Sequence, residues 1–231
     1  MKWWRKWLLR GVLAVFAAGT LWQGWYLSWV VWWKYQNPTL TSFQERRLEE
    51  IRQKNPHAAL QMGWVSYSRI SDNLKRAVVA SEDDKFVDHE GFDWEGMEKA
   101  IEKNQRRGKV VAGGSTISQQ LAKNLFLSAS KTPWRKAQEA IITVMLEFVW
   151  DKQRILEVYL NVVEWGDGLF GAEAAARHYF GVNAAQLDAS QAARLAVMLP
   201  APRRFERNPY SAFLNARTET ILGRMQYSEV P

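Results

Sequence analysis

The sequence predicts an almost all-α domain behind one apolar N-terminal helix. Three observations lead there. From Ser71 onward apolar residues recur at helical spacing, with polar capping residues before them and glycine or proline after them. No stretch offers a convincing sheet. The segment Gly11 to Trp33 carries no charge at all.

The chain has 231 residues, 13 tryptophans and no cysteine. That length suits one domain with a sizeable core. The lack of cysteine excludes a disulfide framework and thiolate metal sites. The net charge of +7 is unevenly spread: residues 1–33 hold four bases and no acid, leaving 27 bases against 24 acids. The folded part is therefore only weakly basic, which argues against a nucleic-acid partner.

The elements follow in order. Gly11–Trp33 spans 23 residues, with Gln23 its one strongly polar interruption. It is long enough for a tilted helix across roughly 30 Å of hydrocarbon. Trp3, Trp4 and Trp7 at one end and Trp29, Trp32 and Trp33 at the other suit two interfacial belts. Lys2, Arg5, Lys6 and Arg10 all precede the span, which places the N-terminus in the cytoplasm and the rest outside. Asn37-Pro38 marks a turn, and Thr41–Lys54 reads as a short polar helix with Leu48 and Ile51 inward.

Ser71 or Asp72 caps a helix running through "NLKRAVVASEDDKF", with Leu74, Ala77, Val78 and Ser81 inward. Five carboxylates crowd between Glu82 and Glu90. On a continuous helix Glu82 shares a side with Val78 and Phe86, and Asp83 points roughly opposite Leu74. Periodicity does not choose between Glu82 and Asp84 as the acid at the edge of the apolar face. A carboxylate there loses solvation, and acidic neighbours raise its pKa further, which suits a proton acceptor near neutral pH.

In "GGSTISQQLAKN" two glycines make a turn, and Ser115 or Thr116 opens a helix; Thr116 and Gln119 have capping-box spacing. Ile117, Leu121 and Leu125 face inward, while Ser115, Gln119 and Lys123 form a second strip that suits an anion or a sugar. Thr132 and Pro133 start the next helix, on which Arg135 and Glu139 share a face near Lys131 and Lys136. Bases around one carboxylate suit a phosphate-rich ligand, with a divalent cation as a candidate companion. Asp151 begins another helix, "WGDGLFG" reads as a loop, "AEAAARHYF" and "DASQAARLAVMLP" are short helices, and "APRRFERNP" is irregular.

"SEDDKFVDHEG", "GGSTISQQLAKN", "RKAQE" and "RILEVYLN" resemble, in order and spacing, the motifs of the peptidoglycan glycosyltransferase domain of class A penicillin-binding proteins and monofunctional transglycosylases. The resemblance runs from about Ser66 to Arg224, and no Ser-x-x-Lys transpeptidase signature follows. It implies a lysozyme-like helical fold with head and jaw lobes. The implied substrates are lipid II and a growing glycan chain, joined by inverting β-1,4 transfer with release of undecaprenyl pyrophosphate. Glu82 matches the general base and Glu139 the second glutamate. Lys123, Arg135 and Lys136 match cations near the donor phosphates, and Lys131 stands where an arginine can occur. Ser115, Thr116, Gln119, Gln120 and Asn124 match the substrate cleft, and Asp83 and Phe86 the rest of the first motif, with His89 structural. Glu157, Tyr159 and Asn161 are assigned mainly to the scaffold.

The resemblance requires no cofactor; magnesium or manganese touching Glu82 and Glu139 is a candidate. It implies residues 1–10 as a cytoplasmic end, 11–33 as a single-pass inner-membrane anchor, 34–65 as a connector and first wall, and 66–231 as a periplasmic enzyme domain. Membrane lipid and cell-wall synthesis or division proteins are the expected partners. A lysozyme-like hydrolase or lytic transglycosylase shares the fold and a glutamate but needs no cationic pyrophosphate site. A non-catalytic tethered scaffold needs none of the motif side chains.

Overall fold

The computed structural model describes residues 3–109, 113–128, 130 and 132–231. The chain divides into two compact units, Met1–Pro38 and Thr39–Pro231.

Helix α1 (Trp3–Tyr35) is the substance of the first unit; its 33 residues extend about 50 Å at the usual rise. Trp25, Trp29 and Trp33 form an i, i+4 ladder with ring centroids 6.4 and 5.2 Å apart. Near the other end Arg5 lies 5.5 Å from the Trp4 ring and Arg10 5.3 Å from the Trp7 ring. The helix expected at 11–33 is there; by mean hydropathy, no helix among the described residues is long and apolar enough to cross a membrane. Tryptophan, tyrosine, glycine, serine and Gln23 dilute the aliphatic content of the segment.

The second unit is mainly helical, as the sequence predicts. Thr41 caps α2 (Ser42–Arg52) through a capping box with Gln44. Leu48 and Ile51 are only half-buried, and the deeply buried side chains are Gln44 and Arg47. Arg47 turns inward because three carboxylates hold it there: Glu164 at 2.9 Å, Glu50 and Asp167. Strand β1 (Gln61–Met62) follows. Ser71 caps α3 (Asp72–Glu82), which buries Leu74, Ala77, Val78, Val79 and Ala80. The expected continuation to Phe86 does not occur. At Asp83 the backbone leaves the helical region, with φ −163° and ψ 74°, and its side chain turns inward rather than away from the core.

Asp93 caps α4 (Trp94–Arg107), which ends at Gly108 in the left-handed conformation. Thr116 caps α5 (Ile117–Phe126) by the expected box with Gln119. Thr132 and Pro133 start α6 (Pro133–Val149), and Asp151 starts α7 (Lys152–Val162). The expected glycine loop after α7 is a small sheet instead. Strands β2 (Glu164–Gly166) and β3 (Leu169–Phe170) pair antiparallel across Asp167-Gly168, and β1 joins β3 in parallel. An Asp-Gly dipeptide between short apolar runs is a strong hairpin signal.

Helices α8 (Ala172–Phe180) and α9 (Ala189–Met198) lie close to their expected bounds. Within "APRRFERNP" there is one short turn, α10 (Pro202–Phe205). Helix α11 (Ala212–Met225) closes the fold, and like α4 it was not foreseen from the sequence. Two packing groups result: α3 lies on α9 and α11, while α5 lies on α6, α7 and α2. Glu82, at the end of α3, meets α5 at Gln120. Trp134, Ile141, Val144 and Phe148 leave an apolar stripe exposed along α6, and Trp94 and Ile101 do so on α4.

One backbone position in the first motif admits only glycine. Gly91 has φ +89°, and a Cβ there would lie 2.8 Å from Thr143 Cγ2 and 3.0 Å from Glu147 Cγ. Gly91→Ala adds left-handed strain to overpacking and is expected to destabilise the protein by about 2 kcal/mol or more. Chemical denaturation of the full chain checks this, and an unchanged midpoint would contradict it.

Candidate active site

The first motif is built around the turn at Asp83. This carboxylate is buried, and each of its oxygens is engaged. Oδ1 lies 2.9 Å from His89 Nε2, and Oδ2 accepts the Ile117 backbone N–H at 2.9 Å. His89 Nδ1 accepts the Gly91 N–H at 3.1 Å, so the ring proton sits on Nε2 and is donated to Asp83. Thr116 Oγ1 donates to the Gly91 carbonyl at 2.7 Å. Lys152 donates to the His89 carbonyl and to Glu147, to which Ser118 also donates. The same ammonium stands 4.7 Å from the ring of Phe86, which is fully buried. The first two motifs are thus joined by direct hydrogen bonds, and an ionised carboxylate at a helix start is where the exposed amides favour it.

Glu82 is delivered by the last turn of α3. Gln120 Nε2 donates to Glu82 Oε2 at 2.9 Å, and Tyr159 donates its hydroxyl to Gln120 Oε1 at 3.0 Å. Burial, then the nearby Glu82 and Asp83 charges, hold the Tyr159 pKa well above the ordinary phenol value. Its hydroxyl therefore stays a donor, which turns the Gln120 amide N–H toward Glu82. Burial raises the Glu82 pKa, with Asp83 adding to the rise; the Gln120 hydrogen bond and the charges of Arg217 and Lys123 oppose it. Asp84, the alternative left open by periodicity, is exposed, with Arg224 3.1 Å away and the Ser228 hydroxyl 3.4 Å away.

Glu82, Asp83, Ser115 and Thr116 border a small cavity of about 190 Å³ with Gly113, Gly114 and Arg224. A second cavity of about 270 Å³ is lined by Ser115, Gln119, Gln120, Lys123, Arg135, Lys136 and Glu139. Ser115 belongs to both. The strip of Ser115, Gln119 and Lys123 expected on α5 thus faces one space. Glu139 is buried and paired with Arg135 at 2.5 Å and with Lys136. Burial lowers the pKa of Lys123; Arg135 and Lys136 push the same way, while Glu139 and Glu82 resist. Asn124 is buried beside a wide cleft of about 1160 Å³ that also includes Gln120, Lys123, Arg203 and Arg207.

Most of the expected residues converge. Phe86 does not, since its ring is sealed beneath Lys152. Lys131 lies outside the described residues. Among the described residues no group of three or more His, Asp or Glu side chains is placed to hold a metal ion. Glu139 already has two cationic partners, so the side chains around it do not suit a resident divalent ion. Asn161 receives the Val65 N–H at 2.9 Å and Glu157 receives the Tyr67 N–H at 3.0 Å, both scaffold tasks. Tyr159 does more than fill the core, because it orients Gln120. Arg217, whose charge bears on Glu82, lies on α11, outside the four motifs.

A family model described as "Transglycosylase" matches residues 46–226. A biosynthetic peptidoglycan transglycosylase of Azoarcus sp. is 60% identical over 226 residues, covering 98% of this chain and 97% of the relative. One from Dechloromonas aromatica is 59% identical over 228 residues, covering 99% and 97%. One from Herminiimonas arsenicoxydans is 56% identical over 231 residues and covers both chains completely.

The raised Glu82 pKa has a sign that stability can test. A carboxyl whose folded pKa exceeds its unfolded value favours folding when protonated and opposes it once ionised. Its contribution falls as pH rises from the unfolded pKa through the folded one. Glu82→Gln keeps an oxygen to accept from Gln120 and carries no charge. The variant is expected to unfold at a higher temperature than wild type at pH 8, with the gap closing toward pH 4. Thermal unfolding across that range decides; a variant less stable at pH 8 would contradict the burial argument.

Proposed function

The chain belongs to the transglycosylase family and is a peptidoglycan glycosyltransferase of cell-wall synthesis, and from that premise we propose that Glu82 is its general base. The observation that carries the reading is the juxtaposition of a desolvated, amide-fixed Glu82 with a cation-lined cavity that shares Ser115 and Gln120 with it. The substrates are lipid II as acceptor and the growing glycan as donor. The acceptor 4-hydroxyl attacks C1 of the donor sugar as its proton passes to Glu82. A new C1–O bond forms on one face while the bond to the pyrophosphate breaks on the other, so the configuration inverts. The departing pyrophosphate takes the bonding electrons. Lys123, Arg135 and Lys136 stabilise the charge that grows on it.

Glu139 keeps Arg135 and Lys136 in place for that task. Ser115, Thr116, Gln119, Gln120 and Asn124 shape the cleft, while Asp83 positions the base. Phe86 supports the first motif from beneath. Lys131 is assigned as a further phosphate-binding cation on the family resemblance alone. A glycan hydrolase with the same carboxylate would have no use for the concentration of cations beside it.

The relatives are enzymes of peptidoglycan synthesis by name, compatible with membrane association. We further propose a single-pass inner-membrane protein with residues 1–10 in the cytoplasm and residues 34–231 on the periplasmic side. The length of α1, its charge-free stretch from Gly11 to Trp33 and the four bases before it support this. Tryptophan also favours the interface more than mean hydropathy credits. The exposed stripe of α6 suits contact with lipid. Protease added outside spheroplasts is expected to digest residues 34–231, and their protection would overturn the orientation.

Incubation of the purified chain with lipid II tests the chemistry. Wild type is expected to form glycan polymer, and Glu82→Gln to form none while remaining folded. Lys123→Ala and Arg135→Ala are expected to lower turnover about 100-fold or more, the scale of losing one electrostatic stabiliser. Cleavage of existing glycan in place of synthesis, or near-normal polymerisation by Glu82→Gln, would overturn the reading.

A further inference from the structure

The cation-lined cavity has a wall that the motifs do not contain. Arg46, on α2, borders it together with Lys123 of α5 and Arg135 and Lys136 of α6. Arg46 Nη2 is shut off from solvent and has no hydrogen-bond partner among the described residues, and the same holds for Arg135 Nε. A buried N–H without an acceptor is costly. Both arginines border the same cavity. The lining carries four cations, Arg46, Lys123, Arg135 and Lys136, against the single carboxylate of Glu139, and Glu139 is already taken by Arg135 and Lys136.

The adjacent residue provides an internal comparison. Arg47 on the same helix is held by Glu164, Asp167 and Glu50. Glu50 stands at the i+4 position where it would serve Arg46, and it bonds Arg47 instead. Burial lowers the Arg46 pKa against the pull of Glu50, Glu45 and Glu49. One arginine of the pair completes a structural ion cluster. The other borders the cation-lined cavity, with one guanidinium nitrogen that has no hydrogen-bond partner among the described residues.

We propose that Arg46 is a substrate-binding residue that donates to a phosphate oxygen of the pyrophosphate group, together with Arg135. The assignment rests on the reading of this cavity as the donor phosphate site. It extends that site to a helix that precedes all four motifs in sequence. A guanidinium offers planar paired donors, which a phosphate group matches in a way that an ammonium does not.

The test is calorimetric titration of the full chain in detergent with inorganic pyrophosphate, paired with lipid II kinetics. Arg46→Ala is expected to weaken pyrophosphate binding roughly tenfold to hundredfold, the scale of one charge-assisted hydrogen bond. The value of kcat/KM on lipid II is expected to fall in parallel, and the unfolding temperature to hold or rise. Arg46→Lys is expected to recover part of the binding. Should Arg46→Ala fail to fold, Arg46→Gln is read the same way. Unchanged pyrophosphate affinity in a folded variant overturns the proposal, as does a wild type that binds no pyrophosphate. A wild type that binds pyrophosphate through Arg46 yet makes no polymer refutes the glycosyltransferase mechanism and leaves Arg46 standing as an anion ligand.

Discussion

The Asp83 carboxylate is the interaction on which the rest of the site depends. It accepts the His89 ring N–H and the first free amide of α5 at once. A buried carboxylate needs such donors, since its desolvation is otherwise prohibitive. To reach them the backbone leaves the helix directly after Glu82. The proposed base, Glu82, is therefore the last helical residue of α3, beside a small cavity rather than lost along a helix face. Thr116 reinforces the junction by donating to the Gly91 carbonyl. Gly91 is required there because its left-handed backbone passes against Thr143 and Glu147.

That one junction also sets the electrostatics. Joining α3 to α5 places Glu82 beside Gln120, one turn before Lys123. Burial raises the carboxyl pKa and lowers the ammonium pKa, so both drift toward neutrality. Glu82 and Lys123 each favour the other's charged form, which limits the drift. The arrangement separates tasks within a short distance. In the proposed mechanism the carboxylate takes a proton on one side of Ser115, and the cations meet negative charge on the other. Preorganised charge of this kind stabilises a transition state without reorganisation at the moment of reaction.

Much of this was legible in the sequence because it is local. The Thr116 box, Pro133 at the start of α6 and the period-four strip of Ser115, Gln119 and Lys123 are features of a few residues, and each stands where the spacing put it. What was not legible depends on partners far along the chain. The end of α3 is decided by Ile117, 34 positions beyond Asp83. The inward turn of Arg47 depends on Glu164 and Asp167, more than 100 positions away. Tyr159 passed for ordinary core because its hydroxyl meets a side chain on another helix. Arg217, whose charge bears on Glu82, comes from α11, far beyond the motifs in sequence. The charge-free stretch of α1 is plain in the sequence, and its tryptophans, glycines and Gln23 dilute its aliphatic content.

The central claim is that one desolvated carboxyl, Glu82, governs catalysis as a base. Its titration in the protein, followed by carbon NMR of labelled glutamate side chains with Glu82→Gln for assignment, addresses that claim most directly. The same midpoint should appear as the acidic limb of kcat/KM for lipid II polymerisation, since that limb reports the free enzyme's essential base. The expected result is a Glu82 midpoint above the ordinary glutamate value that coincides with the kinetic limb. A Glu82 carboxyl that titrates at or below the ordinary value, or a limb that follows another group, would contradict the account.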